Sequence, residues 1–201
     1  MGIEDTKMEF HELIVIGGGP AGLAAAAAAY DTGITDTLIL EEGSELGGSL
    51  LNAADQGACG ELIFKKKLSV EEYLKRFLNL VEIYEVPYHT DIHVDEITLP
   101  GTDDRFSLNC MTAGTMPGKM QCIAVIVATG DISKVKFPEV KVRPGTGLPE
   151  INSGFGTSIQ GLFVAGDIIR KHRTPDEASM EGAKAGRSAV EYILRQKERE
   201  E

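Results

Sequence analysis

Three glycines with dinucleotide spacing are the most chemically informative residues in the chain. Gly17-x-Gly19-x-x-Gly22 follows the apolar, β-branched run Leu13-Ile14-Val15-Ile16 and precedes Leu23 and six consecutive alanines. The chemistry this suits is the holding of a pyrophosphate. Gly17 permits a tight strand-to-helix turn. A side chain at Gly19 would block the close approach of phosphate to backbone, and Gly22 lets the helix pack closely on the strand. Pro20 and Ala21 complete the turn. The phosphates then rest on free N–H groups at the positive end of a helix dipole. That arrangement holds a dianion without Lys or Arg, which matters in a chain of net charge −11.

A second apolar run, Leu38-Ile39-Leu40, ends in Glu41-Glu42. Glu41 lies 19 positions after Gly22. It is placed to accept hydrogen bonds from ribose hydroxyls and would repel a 2′-phosphate, which disfavours NADP. Glu42 beside it is a further candidate contact. Residues 13–41 therefore read as one βαβ unit with a right-handed crossover. This unit by itself leaves FAD and NAD both open.

The elements that must carry these residues follow from pattern. Alanine is the best helix former, so 23–29 reads as helix. Ser69-Val70-Glu71-Glu72 has capping-box spacing, and Tyr73, Phe77, Leu80, Val81 and Tyr84 follow at helical intervals, predicting a helix over 70–84. Ile92, Val94 and Ile97 mark one strand, with Val94 a candidate cofactor contact. Phe106, Leu108 and Cys110 alternate in another strand. The unbroken apolar run 123–127 suits a strand buried on both faces. It ends in Ala128-Thr129-Gly130. Residues 49–68 carry no clear pattern, and 131–157 are rich in Pro and Gly. Leu162-Phe163-Val164 predicts a buried strand ending in Ala165-Gly166-Asp167. A long helix is expected over 176–197, with Ala178, Gly182, Ala185, Gly186 and Ala189 on its packing surface. The charged tail from Arg195 is expected to fray.

Three segments in order, Glu45-Leu46-Gly47-Gly48, Ala128-Thr129-Gly130 and Gly161 to Asp167, join the glycine fingerprint. Together they resemble the FAD domain of the pyridine nucleotide-disulfide oxidoreductases, most nearly the thioredoxin reductase-like members, over about 12–130 and 152–195. The resemblance implies an α/β fold. Its Rossmann-like FAD/NAD(P)-binding domain has a parallel central sheet, helices and a smaller antiparallel β-meander. It implies FAD as cofactor, with Asp167 on the ribityl chain. The next helix N-terminus would face the flavin pyrimidine carbonyl near Glu177 to Met180, Ala178 among them. Gly47, Gly48, Ala128, Thr129, Gly130 and Gly166 are carried over as cofactor contacts. The physical reading agrees for Asp167: it ends a buried strand where open α/β sheets bind ligands, and a carboxylate on a hydroxyl makes a charge-assisted hydrogen bond. A narrower resemblance covers Gly47 to Phe64 and Ile168 to Asp176. It is to FAD subunits encoded with glycerol-3-phosphate or amino-acid dehydrogenases, and it brings in His172.

Members of the resembled family carry a second dinucleotide fold between the Ala-Thr-Gly and Ala-Gly-Asp segments. Here only 35 residues, 131–165, stand there. A βαβ unit alone takes about 30, and no second GxGxxG occurs. The expected organisation is one FAD-binding domain over 1–201: a first part 12–130, a short linker 131–151 in place of the nicotinamide domain, and a second part 152–197. No CxxC occurs either, so dithiol cycling is not expected. Cys59, a single thiol, reads as a packing residue, and His172 as a surface or capping residue. His89 and His93 are four apart in a region read as β-structure, and no metal is expected. No residue announces itself as a catalytic base.

Composition sets the outer bounds. Twenty Lys and Arg face 31 Asp and Glu, with Lys65-Lys66-Lys67 the longest basic run, so nucleic acid is excluded as a main partner. No apolar run reaches the ~18 residues of a membrane span. The polar, acidic start is no signal peptide, and Met1-Gly2 with Thr6 matches the myristoylation pattern only by coincidence. Three cysteines without short spacing fit a reducing cytoplasm. What remains is an FAD oxidoreductase, or its electron-transfer subunit, passing electrons between FAD and a partner protein or free NAD(P)H. The alternatives are a non-catalytic FAD-holding subunit and a nucleotide-binding scaffold. Self-association and assembly with another chain both stay open.

Overall fold

The computed structural model describes residues 8–52, 59–61, 67–101, 104–112, 118–136, 138–170 and 174–200. His172, the Met1 to Thr6 pattern, Lys65, Lys66 and the side chain of Cys59 lie outside what is described.

The strands are β1 (Glu9–Ile16), β2 (Thr37–Leu40), β3 (Cys59–Glu61), β4 (Lys67–Leu68), β5 (Tyr88–His89), β6 (Ile92–Thr98), β7 (Phe106–Thr112), β8 (Gly118–Val127) and β9 (Leu162–Val164). The helices are α1 (Pro20–Asp31), α2 (Ser49–Asn52), α3 (Val70–Tyr84) and α4 (Pro175–Glu200). β5, β2, β1, β8 and β9 run parallel. β6, β7 and β8 form an antiparallel meander. The patternless stretch 49–68 supplies α2 and the small β3–β4 hairpin.

β8 joins the two sheet systems. One edge pairs with β1 along Met120 to Val127. The other edge is shared: Gly118 to Cys122 pair with β7, and Val125 to Val127 pair with β9. Burial on both faces, with pairing on both edges at Val125 to Val127, explains the unbroken apolar run at 123–127. In β6 the register shifts between Val94 and Glu96. That bulge is why Val94 and Ile97, three apart, are both buried.

The core has two parts. Leu13, Val15, Ile39 and Ile126 face a layer made by α1, α3 and α4. Ile14, Ile16, Leu38, Leu40, Val125 and Val127 pack with Val94, Ile97, Phe106 and Leu108 of the meander. The alanine run lies between helix and helix. A Cβ on Gly182 would sit 1.9 Å from the Ala21 carbonyl oxygen, and one on Gly186 2.3 Å from that of Ala25. Two glycines four apart thus let α4 lie directly on the α1 backbone, and only alanine-sized side chains leave room for it. α4 continues as helix through Glu200, so the tail expected to fray from Arg195 extends α4 instead. Arg195 bonds back to the Glu191 carbonyl, and Lys197 pairs with Glu12 of β1.

Candidate cofactor site

The C-terminal ends of β1, β2, β8 and β9 open on one side of the sheet, where ligands bind in open α/β folds. A cavity of about 580 Å³ lies there. Its wall is built from Gly17, Gly19, Pro20 and Ala21 after β1, Glu41 and Glu42 after β2, and Ala128, Thr129 and Gly130 after β8. Gly166 and Asp167 after β9, Gly48, Val94 and Ala178 complete the candidate residues that line it. Two expected contacts do not line it. Gly22 is buried behind the turn, where a Cβ would lie 1.9 Å from the Gly17 oxygen. It therefore does the packing work its position in the motif suggests. Gly47 has φ +138, and a Cβ there would lie 2.6 Å from Leu74 Cδ1. Its role is to let the loop pass close to α3, and the cavity contact belongs to Gly48.

The phosphate end differs from the start of α3. α3 is closed by its own side chains: Ser69 accepts from the Glu72 N–H, and Glu72 accepts from the Ser69 N–H. α1 has Gly19 as its N-cap, no side-chain cap, Pro20 in first position and no acid in its first turn. Its leading N–H groups have no intrahelical acceptor and border the cavity. Gly17 has φ +106, and a Cβ there would strike the Ala128 carbonyl at 2.5 Å. Gly19 is different. Its φ of −80° suits any residue, and the nearest atom to an added Cβ is Gly48 Cα at 3.7 Å. Nothing in the chain itself requires glycine at 19; an approaching ligand would. These features fit a pyrophosphate.

At the β2 end, Glu41 accepts hydrogen bonds from the Gly18 N–H (2.6 Å) and the Gly43 N–H (2.7 Å). A carboxylate offers about four acceptor positions, so two remain for ribose hydroxyls. Glu42 is bridged to Lys134 Nζ and His93 Nδ1, each at 3.0 Å. The Lys134 hydrogen bond, with a smaller part from His93, holds the Glu42 carboxyl below its usual range. His93 and Lys134 line the cavity and were not among the expected contacts. Lys134 could not be found by periodicity: it sits on a single 3-10 turn, Ile132–Lys134, capped by the Asp131 carboxylate.

At the far end, Asp167 is half-buried in the 3-10 turn Gly166–Ile168. α4 begins at Pro175, and Thr174, Pro175 and Ala178 line the cavity. Met180 is 61% exposed and lies outside the lining. α4 thus begins one residue before the 176 expected for it, and of the stretch Glu177 to Met180 only Ala178 lines the cavity. Cys110 and Cys122 are buried away from the cavity. Burial pushes the Cys110 thiol up to about 11 and the Cys122 thiol further still, so neither is a nucleophile at neutral pH. Among the described residues no group of His, Cys, Asp or Glu could hold a metal ion.

Residues 12–99 match the family model for FAD dependent oxidoreductase. Solved structures align over nearly the whole chain. Thioredoxin reductase from Streptococcus pyogenes has a TM-score of 0.69 at 16% identity, covering 92% of this chain and 99% of that one. Ferredoxin-flavin thioredoxin reductase from Clostridium acetobutylicum gives 0.73 at 16%, covering 94% and 99%. Bacillithiol disulfide reductase from Bacillus cereus gives 0.74 at 12%, covering 91% and 99%. This is the thioredoxin reductase-like FAD-domain fold. No curated protein sequence matches the chain. The fold class read from the sequence is borne out, including the meander. FAD and oxidoreduction, the expected cofactor and chemistry, are those of the matched family. No helix among the described residues is long and apolar enough to cross a membrane.

Proposed function

We propose that this chain is an FAD-dependent oxidoreductase, or the electron-transfer subunit of one, and that its flavin exchanges electrons with a partner redox protein. The observation that carries the cofactor is the open cradle at Gly19 in front of an uncapped α1. Gly17, Pro20 and Ala21 border the pyrophosphate in this reading. Glu41, Glu42, Val94, Ala128, Thr129 and Gly130 form the adenosine side. Gly48, Gly166, Asp167 and Ala178 serve the remainder, with Asp167 on the ribityl hydroxyls. The bound isoalloxazine supplies the redox chemistry; the chain binds it, orients it and sets its electrostatics.

The partner follows from what stands between β8 and β9. Over 131–151 the described residues form one 3-10 turn and short bridges, Glu96 with Lys136 and Val142 with Pro149. A nicotinamide fold has no room there, so we read 1–201 as one FAD domain with this linker in its place. The ferredoxin-flavin enzyme among the similar structures is named for a protein electron donor, which makes a protein donor or acceptor a chemically reasonable partner for this fold. Self-association or assembly with a second chain would suit such a subunit, and the cysteine usage suits the cytoplasm.

Anaerobic titration tests the reading. The flavin-loaded chain should be reduced by a low-potential protein donor such as reduced ferredoxin, and only slowly by NADH or NADPH. Rapid stoichiometric reduction by either nicotinamide would refute the protein-partner reading. Reduction by dithionite alone would favour the cofactor-holding subunit.

A further inference from the structure

The first turn of α4 borders the cavity through Thr174, Pro175 and Ala178. The two residues between are both acidic, Asp176 and Glu177. Asp176 is tied down from behind. Tyr73 of α3, fully buried, donates its hydroxyl to Asp176 Oδ2 at 2.7 Å. The ring of Tyr73 stacks on Phe77, and α3 is fixed at its start by the Ser69/Glu72 capping box. The phenol is therefore a rigid point, and the bond joins positions 103 residues apart in sequence.

A helix start alone favours negative charge on a ligand placed before it. An anion in that same first turn does the reverse: it uses up part of the dipole and repels charge arriving nearby. Two-electron reduction of the flavin with uptake of one proton adds one negative charge to the ring. We propose that Asp176, positioned by Tyr73, holds the flavin's reduction potential down and so makes the reduced cofactor a stronger donor. This rests on the FAD reading above. The tyrosine hydroxyl pins the carboxylate on the α3 side of α4. Asp176 directly follows Pro175 and stands two residues before Ala178, both on the cavity wall, so its charge lies beside the site.

The test compares wild type with Asp176→Asn, Asp176→Glu, Tyr73→Phe and the Tyr73→Phe/Asp176→Asn double variant, each loaded with FAD. Flavin occupancy and melting temperature are measured first. The equilibrium potential is then read against a reference dye during dithionite titration. At one fixed ambient potential Asp176→Asn should hold about tenfold more reduced flavin, equivalent to ~30 mV for a two-electron couple. Asp176→Glu should stay near wild type. Tyr73→Phe should shift in the same direction by less, and the double variant no further than Asp176→Asn. If Asp176→Asn retains no flavin, Asp176→Ser replaces it in the comparison. Flavin-loaded variants sharing one potential overturn the inference alone, as do Tyr73 and Asp176 shifts that simply add. A wild-type chain that takes up no FAD overturns the site reading and this inference with it.

Discussion

Gly19→Ala separates what the fold needs from what the cofactor needs. The new methyl would have Gly48 Cα as its nearest neighbour at 3.7 Å, an ordinary contact, at a backbone φ of −80°. Two small effects on stability oppose each other. Alanine is a poorer N-cap than glycine, while loss of glycine's freedom in the unfolded chain is worth about 0.4–1 kcal/mol. The net change should stay under ~1 kcal/mol, which is about 2–4 °C for a chain of this size. Binding should suffer far more. The methyl stands where the pyrophosphate must meet the α1 N–H groups, each such bond to a charged group being worth ~1.5–3 kcal/mol. Losing two costs about 3–6 kcal/mol, or ~10²–10⁴-fold in Kd. Gly22→Ala is the contrast, because its Cβ would lie 1.9 Å from the Gly17 oxygen. It should lower stability with or without FAD. The assay pairs melting of the flavin-free proteins with FAD titration followed by flavin fluorescence. A Gly19→Ala protein that binds FAD like wild type would refute the reasoning, and so would one that melts as badly as Gly22→Ala.

Asp167→Ala should keep the fold and weaken FAD by roughly 10–100-fold, the value of one charge-assisted hydrogen bond, measured by flavin retained through gel filtration. Lys134→Met removes the main cause of the lowered Glu42 carboxyl. A lowered folded-state value stabilises above the unfolded carboxylate range near ~4.3 and is lost as pH falls through the folded value. The difference between wild type and variant in melting should therefore be small at pH 7, screened by salt because both groups are about half exposed, and gone at strongly acid pH. Gly182→Val should unfold or loosen the protein, since even a Cβ would lie 1.9 Å from the Ala21 oxygen; circular dichroism melting checks it. In a Cys59→Ser background no thiol should react with a disulfide reagent at pH 8 until denaturant is added, because Cys110 and Cys122 are buried with raised thiol values.

The features legible from sequence were those in which one residue type answers to one local need. The capping box at Ser69 and Glu72 set the start of α3 at Val70. The β8 run read as doubly buried because both of its faces are covered, with β1 and β9 flanking it at Val125 to Val127. Gly17 and Gly22 read as turn and packing glycines because backbone stands where their side chains would be. Other features depend on partners far off in sequence and left no local mark. The Glu42–Lys134–His93 bridge joins three separate elements. Tyr73 looks like any core aromatic until its hydroxyl meets Asp176. Gly47 shares its motif with Gly48, yet it faces α3, and only the placement of Leu74 tells them apart. The tail from Arg195 appeared too charged to hold. It stays helical, and Lys197 reaches Glu12 on β1, a contact no pattern within the tail announces.

The most direct test of the account is the flavin content of the purified chain. The protein is expressed, purified and saturated with FAD, then freed of excess cofactor and denatured by heat. The released chromophore is identified by chromatography and counted against protein. One FAD per chain is expected, retained through gel filtration. A folded chain that releases no FAD, and binds none on titration, would contradict it.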